Sequence, residues 1–198
     1  MREIEKMLPK TDYLECVRIT DIDQRSLASS FFVDRFEAKN LEIYLKNHAL
    51  SDEVTGNART YVVRERSSKE IVGYFSLKAG FVSTNEQPKS LFRNEFDCEP
   101  GIELSNFAIN SKYINSHPLS RDIGLYVFRY FIRPIVEMTA AIVGIRYLYI
   151  FALPYEKLIK HYENKYGFER AGIIQETKIH KRIRPRYDDE CVFMYQKI

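Results

Sequence analysis

The chain has 198 residues, 45% of them hydrophobic and 29% charged, which is the composition of a folded domain and excludes a disordered protein. The net charge of +3 is too small to demand a nucleic-acid partner, although it permits an anionic ligand. The odd number of cysteines, three, argues against a disulfide framework, and without a CxxC or Cys/His cluster the sequence gives no sign of a metal site. No apolar stretch reaches the roughly 18 residues of a membrane span, and the charged N-terminus lacks the apolar segment of a signal peptide. We therefore expect a single domain over residues 1–198, located in the cytoplasm and not bound to a membrane.

The first 57 residues predict one strand followed by two helices. The alternating segment 13–19 (YLECVRI) is typical of a strand. Thr20 occupies the position of a helix N-cap, which predicts a helix that extends to Ser30. Residues 38–50 place several apolar side chains near one helical face, and the polar residues 51–57 predict a loop.

Residues 59–109 predict a hairpin, an irregular excursion and a central strand. Residues 59–65 and 70–81 are rich in β-forming residues and are separated by a short polar turn, so they predict an antiparallel hairpin. Residues 83–100 are polar and contain two prolines, which indicates an irregular excursion. Residues 102–109 (IELSNFAI) predict the next strand.

Residues 110–143 predict a connection that feeds a long helix. Residues 110–120 contain Asn, Ser and Pro and therefore predict a loop. Residues 122–143 are apolar on more than one face, which predicts a largely buried helix. Pro134 removes one backbone hydrogen bond and should kink this helix.

The C-terminal segment predicts strand, helix and strand. Residues 147–153 (YLYIFAL) predict a buried strand, and Pro154 begins a helix that Gly167 ends. Residues 191–196 (CVFMYQ) predict the last strand. This order of elements predicts an α/β (α+β) fold in which helices cover a mixed sheet.

A candidate anion site lies where the central strand leads through a polar turn into the long helix. Arg121, Asp122, Ile123 and Gly124 open that helix. The unpaired N–H groups of a helix N-terminus and the positive end of its dipole both favour a phosphate. The alternative is an ordinary helix start, in which Asp122 only interacts with the dipole.

The same segment resembles the centre of the GNAT superfamily of acyl-CoA-dependent N-acetyltransferases. Residues 121–126 (RDIGLY) match the first two fixed positions of the family's phosphate loop, Gln/Arg-x-x-Gly-x-Gly/Ala, and carry Tyr126 at the third. Residues 162–168 (YENKYGF) resemble its late Tyr…Gly-Phe signature, and residues 71–77 (IVGYFSL) resemble its central hairpin strand. The segments occur in the family's order and cover about residues 59–195. The resemblance implies a GNAT-like, mostly antiparallel central sheet of about six to seven strands flanked by helices.

The resemblance also implies acetyl-CoA as co-substrate and assigns residues to it. Residues of the central strand would pair with the pantetheine amides: Phe107, Ala108 and Ile109. Residues of the turn would hold the pyrophosphate: Arg121, Ile123, Gly124 and Leu125. Asn164 would contact the pantetheine arm. Asp122 places a negative charge beside the phosphate, which weakens binding unless its side chain points away.

Acetyl transfer to an amine benefits from a base, and Glu103 is the candidate. An amine with a pKa near 10.4 costs about 4–5 kcal/mol to present in its neutral form at pH 7. Glu103 lies six residues before Ile109, the offset at which histone-type members of the family carry their glutamate base. The alternative is a salt-bridged or solvent-facing strand residue.

Tyr162 is the candidate acid. A phenol with a pKa of about 10 can pass a proton to the departing thiolate without being ionised at pH 7. Many family members carry this tyrosine four residues before the glycine, whereas Tyr162 lies five residues before Gly167. The alternative is a tyrosine that anchors its helix to the core.

The leading hypothesis is an N-acetyltransferase in which the amine of a small molecule or a protein attacks acetyl-CoA directly in a ternary complex. Residues 36–77 resemble acetyltransferase toxins of bacterial toxin–antitoxin pairs, which acetylate charged tRNA and block translation. A tRNA acceptor is the second hypothesis, with a basic run to follow the phosphates: Lys178, Lys181, Arg182, Arg184 and Arg186. We favour a solvated β-hairpin for this run, because a net charge of +3 does not suit extended RNA binding.

A third hypothesis is a degenerate GNAT domain that binds CoA or a partner without turnover. It rests on the two departures in the phosphate loop, Asp122 and Tyr126. Oligomeric state leaves no clear signal in the sequence, and a homodimer stays open.

Overall fold

The sheet of the computed structural model, which describes residues 7–83, 98–120, 122–182 and 190–198, has seven strands. The strands are β1 (Leu14–Arg18), β2 (Arg59–Glu65), β3 (Ile71–Ser83), β4 (Cys98–Ile109), β5 (Tyr147–Ala152), β6 (Glu169–Arg170) and β7 (Val192–Lys197). Their order in the sheet is β1-β2-β3-β4-β5-β7-β6. The β4–β5 pair is parallel, and the β1–β2, β2–β3, β5–β7 and β6–β7 pairs are antiparallel. The predicted fold class, a mixed and mostly antiparallel sheet flanked by helices, is confirmed.

Eight α-helical segments are described. They are α1 (Gln24–Ser30), α2 (Lys39–Asn47), α3 (Ala49–Thr55), α4 (Ser111–Ser116), α5 (Ile123–Val127), α6 (Arg133–Val143), α7 (Glu156–His161) and α8 (Ile173–Arg182). The first π turn (Phe128–Ile132) joins α5 to α6, and the second π turn (Tyr162–Tyr166) continues α7. Short 3-10 turns lie at Ile19–Asp21 and Phe36–Ala38. Among the helices of the described ranges, none has both the length and the apolar character that crossing a bilayer requires.

The described chain divides into two compact units. The first unit is Met1–Lys78 with Leu104–Glu137. Its core joins β1–β3 to α1 and α2 through buried side chains that include Leu27, Phe31, Leu45 and Tyr74. The Phe31 and Tyr74 rings meet edge to face with their centroids 5.4 Å apart, so this core is held by specific aromatic packing as well as by aliphatic burial.

The second unit is Ala79–Glu103 with Met138–Ile198. Every residue of β5 is buried. On one face of β5, Tyr149 and Phe151 pack against Phe193 of β7, at centroid distances of 5.4 Å for both pairs. Ile179 of α8 belongs to the same core cluster, so α8 covers this aromatic face.

Three local predictions for the first unit are wrong in detail. Asp23, not Thr20, caps the first helix, because its carboxylate accepts a hydrogen bond from the Ser26 N–H at 2.8 Å. The predicted loop 51–57 contains most of α3, which ends at Gly56 with φ +78°. The predicted loop 110–120 contains α4, because the Asn110 side chain caps a helical turn.

Two predictions fall partly outside the described residues. Most of the predicted excursion 83–100 lies there, as do Arg184 and Arg186 of the basic run. The described part of that run belongs to α8, which extends to Arg182. A β-hairpin is therefore the wrong structure for residues 178–182.

A kink is predicted at Pro134, and the structure has the first π turn just before this residue. Pro134 has no N–H to offer the carbonyl of Tyr130 four residues earlier, and its ring would collide with that carbonyl in a regular α-helix. The widened turn Phe128–Ile132 lies immediately before α6, where the regular hydrogen-bond ladder could not continue.

Candidate active site

Glu103 lies in the parallel ladder of β4 with β5, where its Cα partner is Tyr149. Glu103 is half-buried, and the Tyr149 hydroxyl donates a hydrogen bond to its carboxylate. A solvent-facing strand residue, one of the alternatives from the sequence, does not describe this position. The carboxylate of Glu103 is instead oriented by a phenol from the neighbouring strand.

The predicted pantetheine strand is the last part of β4. The parallel ladder covers Gly101 to Glu103, and β4 then continues to Ile109. A strand that extends past the end of its ladder can offer backbone amides to an extended ligand, as in β-strand addition. Phe107 and Ile109 are half-buried and Ala108 is buried, and the pairing of their backbone amides with pantetheine stays a prediction.

Gly73 of β3 approaches this segment closely. A Cβ atom on Gly73 would lie 2.7 Å from the Ala108 carbonyl oxygen and 2.9 Å from Ile109 Cδ1. Past the end of β4, the Asn110 N–H donates to the Val72 carbonyl at 2.9 Å. The β3 side of the predicted pantetheine strand is therefore fixed by backbone contact.

The predicted pyrophosphate residues lie in the first turn of α5, except Arg121, which falls outside the described residues. The Ile123 N–H donates to the Ser120 carbonyl at 3.0 Å, so this amide already has a partner. Gly124 and Leu125 hold the positions whose N–H groups a helix leaves without an intrahelical partner. The N–H groups of Gly124 and Leu125 can therefore donate to a phosphate at the start of α5.

Tyr126, the departure from Gly or Ala in the predicted phosphate loop, has a packing role in the helix. Its ring lies 4.4 Å from the Tyr130 ring and 6.4 Å from the Phe131 ring, centroid to centroid. Tyr126 and Tyr130 are four residues apart and therefore lie on the same face of the helix. The larger side chain of Tyr126 packs against the Tyr130 and Phe131 rings.

Tyr162 is the first residue of the second π turn and is half-buried. Its ring lies 5.5 Å from the Tyr166 ring and meets the Phe168 ring edge to face at 5.9 Å, both measured between centroids. Burial raises the pKa of the Tyr162 phenol to about 12. The phenol therefore stays protonated at neutral pH, as a general acid for thiolate departure must.

The second π turn absorbs the extra residue between Tyr162 and Gly167. A π turn closes hydrogen bonds between residues five apart, one more than an α-helical turn. The turn ends at Gly167 with φ +74°, and the Phe168 N–H donates to the Tyr162 carbonyl at 3.2 Å. Tyr162 is therefore placed relative to Gly167 much as a residue four positions earlier would be in an α-helix.

Asn164 lies in the same turn and is exposed. Residues two apart in a helical turn do not face each other, so the Asn164 side chain does not share the surroundings of Tyr162. A contact between Asn164 and a pantetheine arm stays a prediction.

Asn110 is a site-shaping residue that the sequence analysis missed. Its side chain is buried, with Nδ2 donating to the carbonyls of Ser30 at 3.0 Å and Ile71 at 2.8 Å. Its Oδ1 accepts from the N–H groups of Phe32 at 3.1 Å and Lys112 at 3.2 Å. These four bonds use the full capacity of an amide and fix the end of the predicted pantetheine strand. An Asn directly after a strand was the available signal.

A cleft of about 340 Å³ in the first unit does not involve the predicted site. Acidic and basic side chains both line this cleft: Asp21, Asp23, Arg64, Lys69, Glu70 and Lys112. Arg64 and Lys69 both bind Glu15, at 2.8 and 3.0 Å. Within the described ranges, no group of His, Cys and carboxylate side chains is arranged to hold a metal ion.

No protein-family model matches the sequence. A tRNA-acetylating toxin of Mycobacterium tuberculosis is 29% identical over 136 residues, which are 69% of this chain and 74% of the toxin.

Among solved structures, a tyrosine-to-phenylalanine mutant of the toxin AtaT, bound to acetyl-CoA and to the C-terminus of the antitoxin AtaR, has a TM-score of 0.59, with 17% identity over 94% of each chain. A tyrosine-to-phenylalanine mutant of KacT has a TM-score of 0.61, with 17% identity over 94% of this chain and 95% of that chain. The chain has the GNAT-like fold of the acetyltransferase toxins. AtaT complexed with acetyl-methionyl-tRNA shares this fold, with a TM-score of 0.57 and 17% identity over 91% of this chain and 93% of that chain.

The resemblance predicted from the sequence, a GNAT-like fold similar to the acetyltransferase toxins, is confirmed. The predicted enzyme class, acyltransferase, is that of the M. tuberculosis relative, and the predicted co-substrate, acetyl-CoA, is bound in one AtaT structure. The comparisons favour the second of the predicted acceptors over the first. The sequence ranked small-molecule and protein amines ahead of tRNA, whereas both the relative and the AtaT complex concern tRNA.

Proposed function

We propose that the chain transfers the acetyl group of acetyl-CoA to the amino group of an aminoacyl-tRNA in the cytoplasm. The observation that carries this proposal is the similarity, over 136 residues, to a tRNA-acetylating toxin. Small-molecule and protein amines are the competing acceptors. The extension of β4 beyond its ladder and the protonated, half-buried Tyr162 support the acetyl-CoA-dependent part of the proposal.

The proposed roles follow from the protonation states that each residue can hold. Acetyl-CoA supplies an activated acyl group with a thiolate as the leaving group. Glu103 accepts a proton from the attacking amine, directly or through a water molecule, while a C–N bond to the acetyl carbon forms. Tyr162 donates its phenolic proton to the departing sulfur as the C–S bond breaks. After release, Glu103 loses its proton to solvent and Tyr162 regains one, so that the charges balance over a turnover.

The contacts to acetyl-CoA are assigned to backbone groups. The amides of Phe107, Ala108 and Ile109 would pair with the pantetheine arm, and the N–H groups of Gly124 and Leu125 would donate to the pyrophosphate. Substitution of these side chains by residues of similar size should therefore affect acetyl-CoA binding less than a displacement of the backbone does.

Transfer of radiolabel from acetyl-CoA to charged tRNA tests the proposal. We expect labelled acetyl-aminoacyl-tRNA with the unaltered protein and at least a hundredfold lower rate with Tyr162→Phe and with Glu103→Gln. Tyr155→Phe is a matched control, because Tyr155 is an exposed tyrosine next to α7. Uncharged tRNA should accept no label.

Three outcomes would contradict parts of the proposal. Equal labelling of a free amine or of polylysine would restore the small-molecule or protein acceptor. Normal rates in both site variants would remove Glu103 and Tyr162 from catalysis. A stabilising interaction with acetyl-CoA, but no transfer to any amine, would support a degenerate CoA-binding domain.

A further inference from the structure

Tyr149 lies beside Glu103 on one face of the sheet. The two residues are Cα partners in the parallel ladder, and the next position on this face pairs Gly101 with Tyr147. Directly paired residues of neighbouring strands place their side chains on the same face and within contact distance. The hydrogen bond between Tyr149 and Glu103 is thus set by strand register and does not depend on a loop.

Two glycines provide the space for the Tyr149 ring. A Cβ atom on Gly80 would lie 2.0 Å from Tyr149 Oη, and one on Gly101 would lie 3.1 Å from Cδ1 and Cε1 of the same ring. The ring therefore fills the volume that side chains at these two positions would occupy. It also packs on Phe193 at 5.4 Å and on Phe151 at 6.0 Å, centroid to centroid, so its position is fixed.

The Tyr149 hydroxyl has a defined hydrogen-bond direction. The backbone N–H of Phe81 donates to Tyr149 Oη, and the hydroxyl donates to Glu103. A phenol carries a single proton, and here it is directed at the carboxylate. Burial first, and the charge of Glu103 second, raise the pKa of Tyr149 well above its usual range, so the proton stays on the phenol. Glu99 of β4 and Arg146, which directly precedes β5, bind each other at 2.6 Å.

We propose that Tyr149 is a positioning residue for acetyl transfer, which holds the Glu103 carboxylate in the orientation that accepts the proton of the acceptor amine. The terminal torsion of a glutamate is broad, and one fixed donor selects an orientation for it. The same donor stabilises the charged form of the carboxylate. The proposal rests on the proposed function, in which Glu103 is the base. It adds a residue to which the sequence analysis gave no role.

The direct test compares Tyr149→Phe with Tyr147→Phe. Tyr147 is on the same strand and face, so its variant also loses a buried strand phenol, but not the donor to Glu103. In ligand-free protein carrying ¹³C-labelled glutamate, we expect Tyr149→Phe to raise the pKa of Glu103 by about one unit, and Tyr147→Phe to leave it unchanged. An unchanged pKa in Tyr149→Phe, or an equal rise in Tyr147→Phe, would overturn the proposal.

A double-mutant cycle on acetyl transfer separates positioning from a general loss of structure. We expect Tyr149→Phe alone to lower kcat/KM about tenfold and to shift the acidic limb of its pH profile upward by about one unit. In a Glu103→Gln background the same change should have almost no further effect, because the two residues act as a pair. Equal effects in both backgrounds would show that Tyr149 acts only through folding.

Failure of the proposed function gives a different pattern. If Glu103→Gln alone leaves the rate and its pH profile unchanged, Glu103 is not the base and the role of Tyr149 is overturned with it. If Glu103→Gln is inactive while Tyr149→Phe behaves as the unaltered protein, only the role of Tyr149 is lost.

Should Tyr149→Phe fail to fold, incorporation of difluorotyrosine at position 149 keeps the ring and makes the phenol a stronger donor. The pKa of Glu103 should then fall, and a constant value would contradict the proposal.

Discussion

At the scale of single residues, Glu42 shows how a buried carboxylate is held in its charged form. Its carboxylate accepts from Lys39 Nζ at 2.6 Å, Lys46 Nζ at 2.7 Å and the Val33 N–H at 2.8 Å. Burial alone would raise the pKa of Glu42, but these hydrogen bonds outweigh it and lower the pKa to about 2. Glu42 thereby joins α2 to the segment that follows α1.

We expect Glu42→Gln to lower the free energy of unfolding at pH 7 by about 2 kcal/mol, since two ammonium groups and one N–H lose a charged acceptor. The folded-state pKa of Glu42, about 2, lies below its unfolded value of 4.5. The charged carboxylate therefore makes its full contribution to the free energy of unfolding above pH 4.5, and this contribution is lost as the pH falls towards 2. Urea unfolding at several pH values should show the two proteins converging over that interval. Glu137→Gln is the control, because the pair of Glu137 with Arg133 is half exposed and should contribute less than about 0.5 kcal/mol.

Gly73 is the second residue whose substitution has a defined consequence. A methyl group there would meet the Ala108 carbonyl oxygen at 2.7 Å, and this backbone atom cannot rotate away. We expect Gly73→Ala to cost about 1–3 kcal/mol of stability and to weaken acetyl-CoA binding by displacing the predicted pantetheine strand. Gly172→Ala is the matched control, because nothing lies within 4 Å of the added atom. Equal acetyl-CoA affinity in both variants, measured by calorimetry, would argue against a cofactor role for that strand.

At the scale of elements, the second π turn can be tested by changing its length. Deletion of Lys165 would leave Tyr162 four residues before the glycine, the spacing that an α-helical turn accommodates. We expect this variant to retain acetyl transfer within about tenfold. Insertion of one alanine after Asn164 should instead rotate Tyr162 by about 100° relative to Gly167 and lower kcat/KM by at least a hundredfold. A deletion variant as inactive as the insertion variant would show that the π turn itself is required.

The sequence predicted elements well where periodicity alone determines structure. The strands at β2, β3, β5 and β7 were recognised because their apolar residues cluster and turn residues bound them. The helices α3 and α4 were missed, because their polar composition resembles that of a loop. Partners distant in sequence stabilise them: Arg18 forms an ion pair with the buried Glu53 of α3, and Glu65 accepts from the Tyr113 hydroxyl of α4 at 3.0 Å.

The candidate site was predictable only in part for a related reason. Glu103 and Tyr162 are candidates because a family pattern marks them in the sequence, and their roles stay predictions. Tyr149, the proposed positioning residue, has no such mark, because within YLYIFAL it is one apolar residue among several. Its partner is specified by strand register, which pairs residues 46 positions apart, and no local pattern encodes that register.

At the scale of the whole molecule, acetyl-CoA binding should raise the thermal midpoint of unfolding. Ligand at 100 times its dissociation constant adds about 2.7 kcal/mol, which corresponds to a rise of roughly 5–10 °C for a chain of this size. Differential scanning fluorimetry with and without acetyl-CoA measures the shift, with ATP as a phosphate-bearing control. Tyr162→Phe should show the same rise, since its proposed role is in proton transfer. No rise in either protein would contradict a working acetyl-CoA site.

The packing of Tyr149 against Gly80 and Gly101 has a consequence for how this sequence can diverge. Side chains at positions 80 and 101 would occupy the space that the Tyr149 ring fills. A larger residue at position 80 or 101 therefore requires a smaller residue at position 149. We expect related sequences to vary here as a set, with a side chain at position 80 or 101 appearing together with a smaller residue at position 149. Such relatives would have lost the phenol opposite Glu103, and the identity of residue 80 would then indicate which of them need another way to orient that carboxylate.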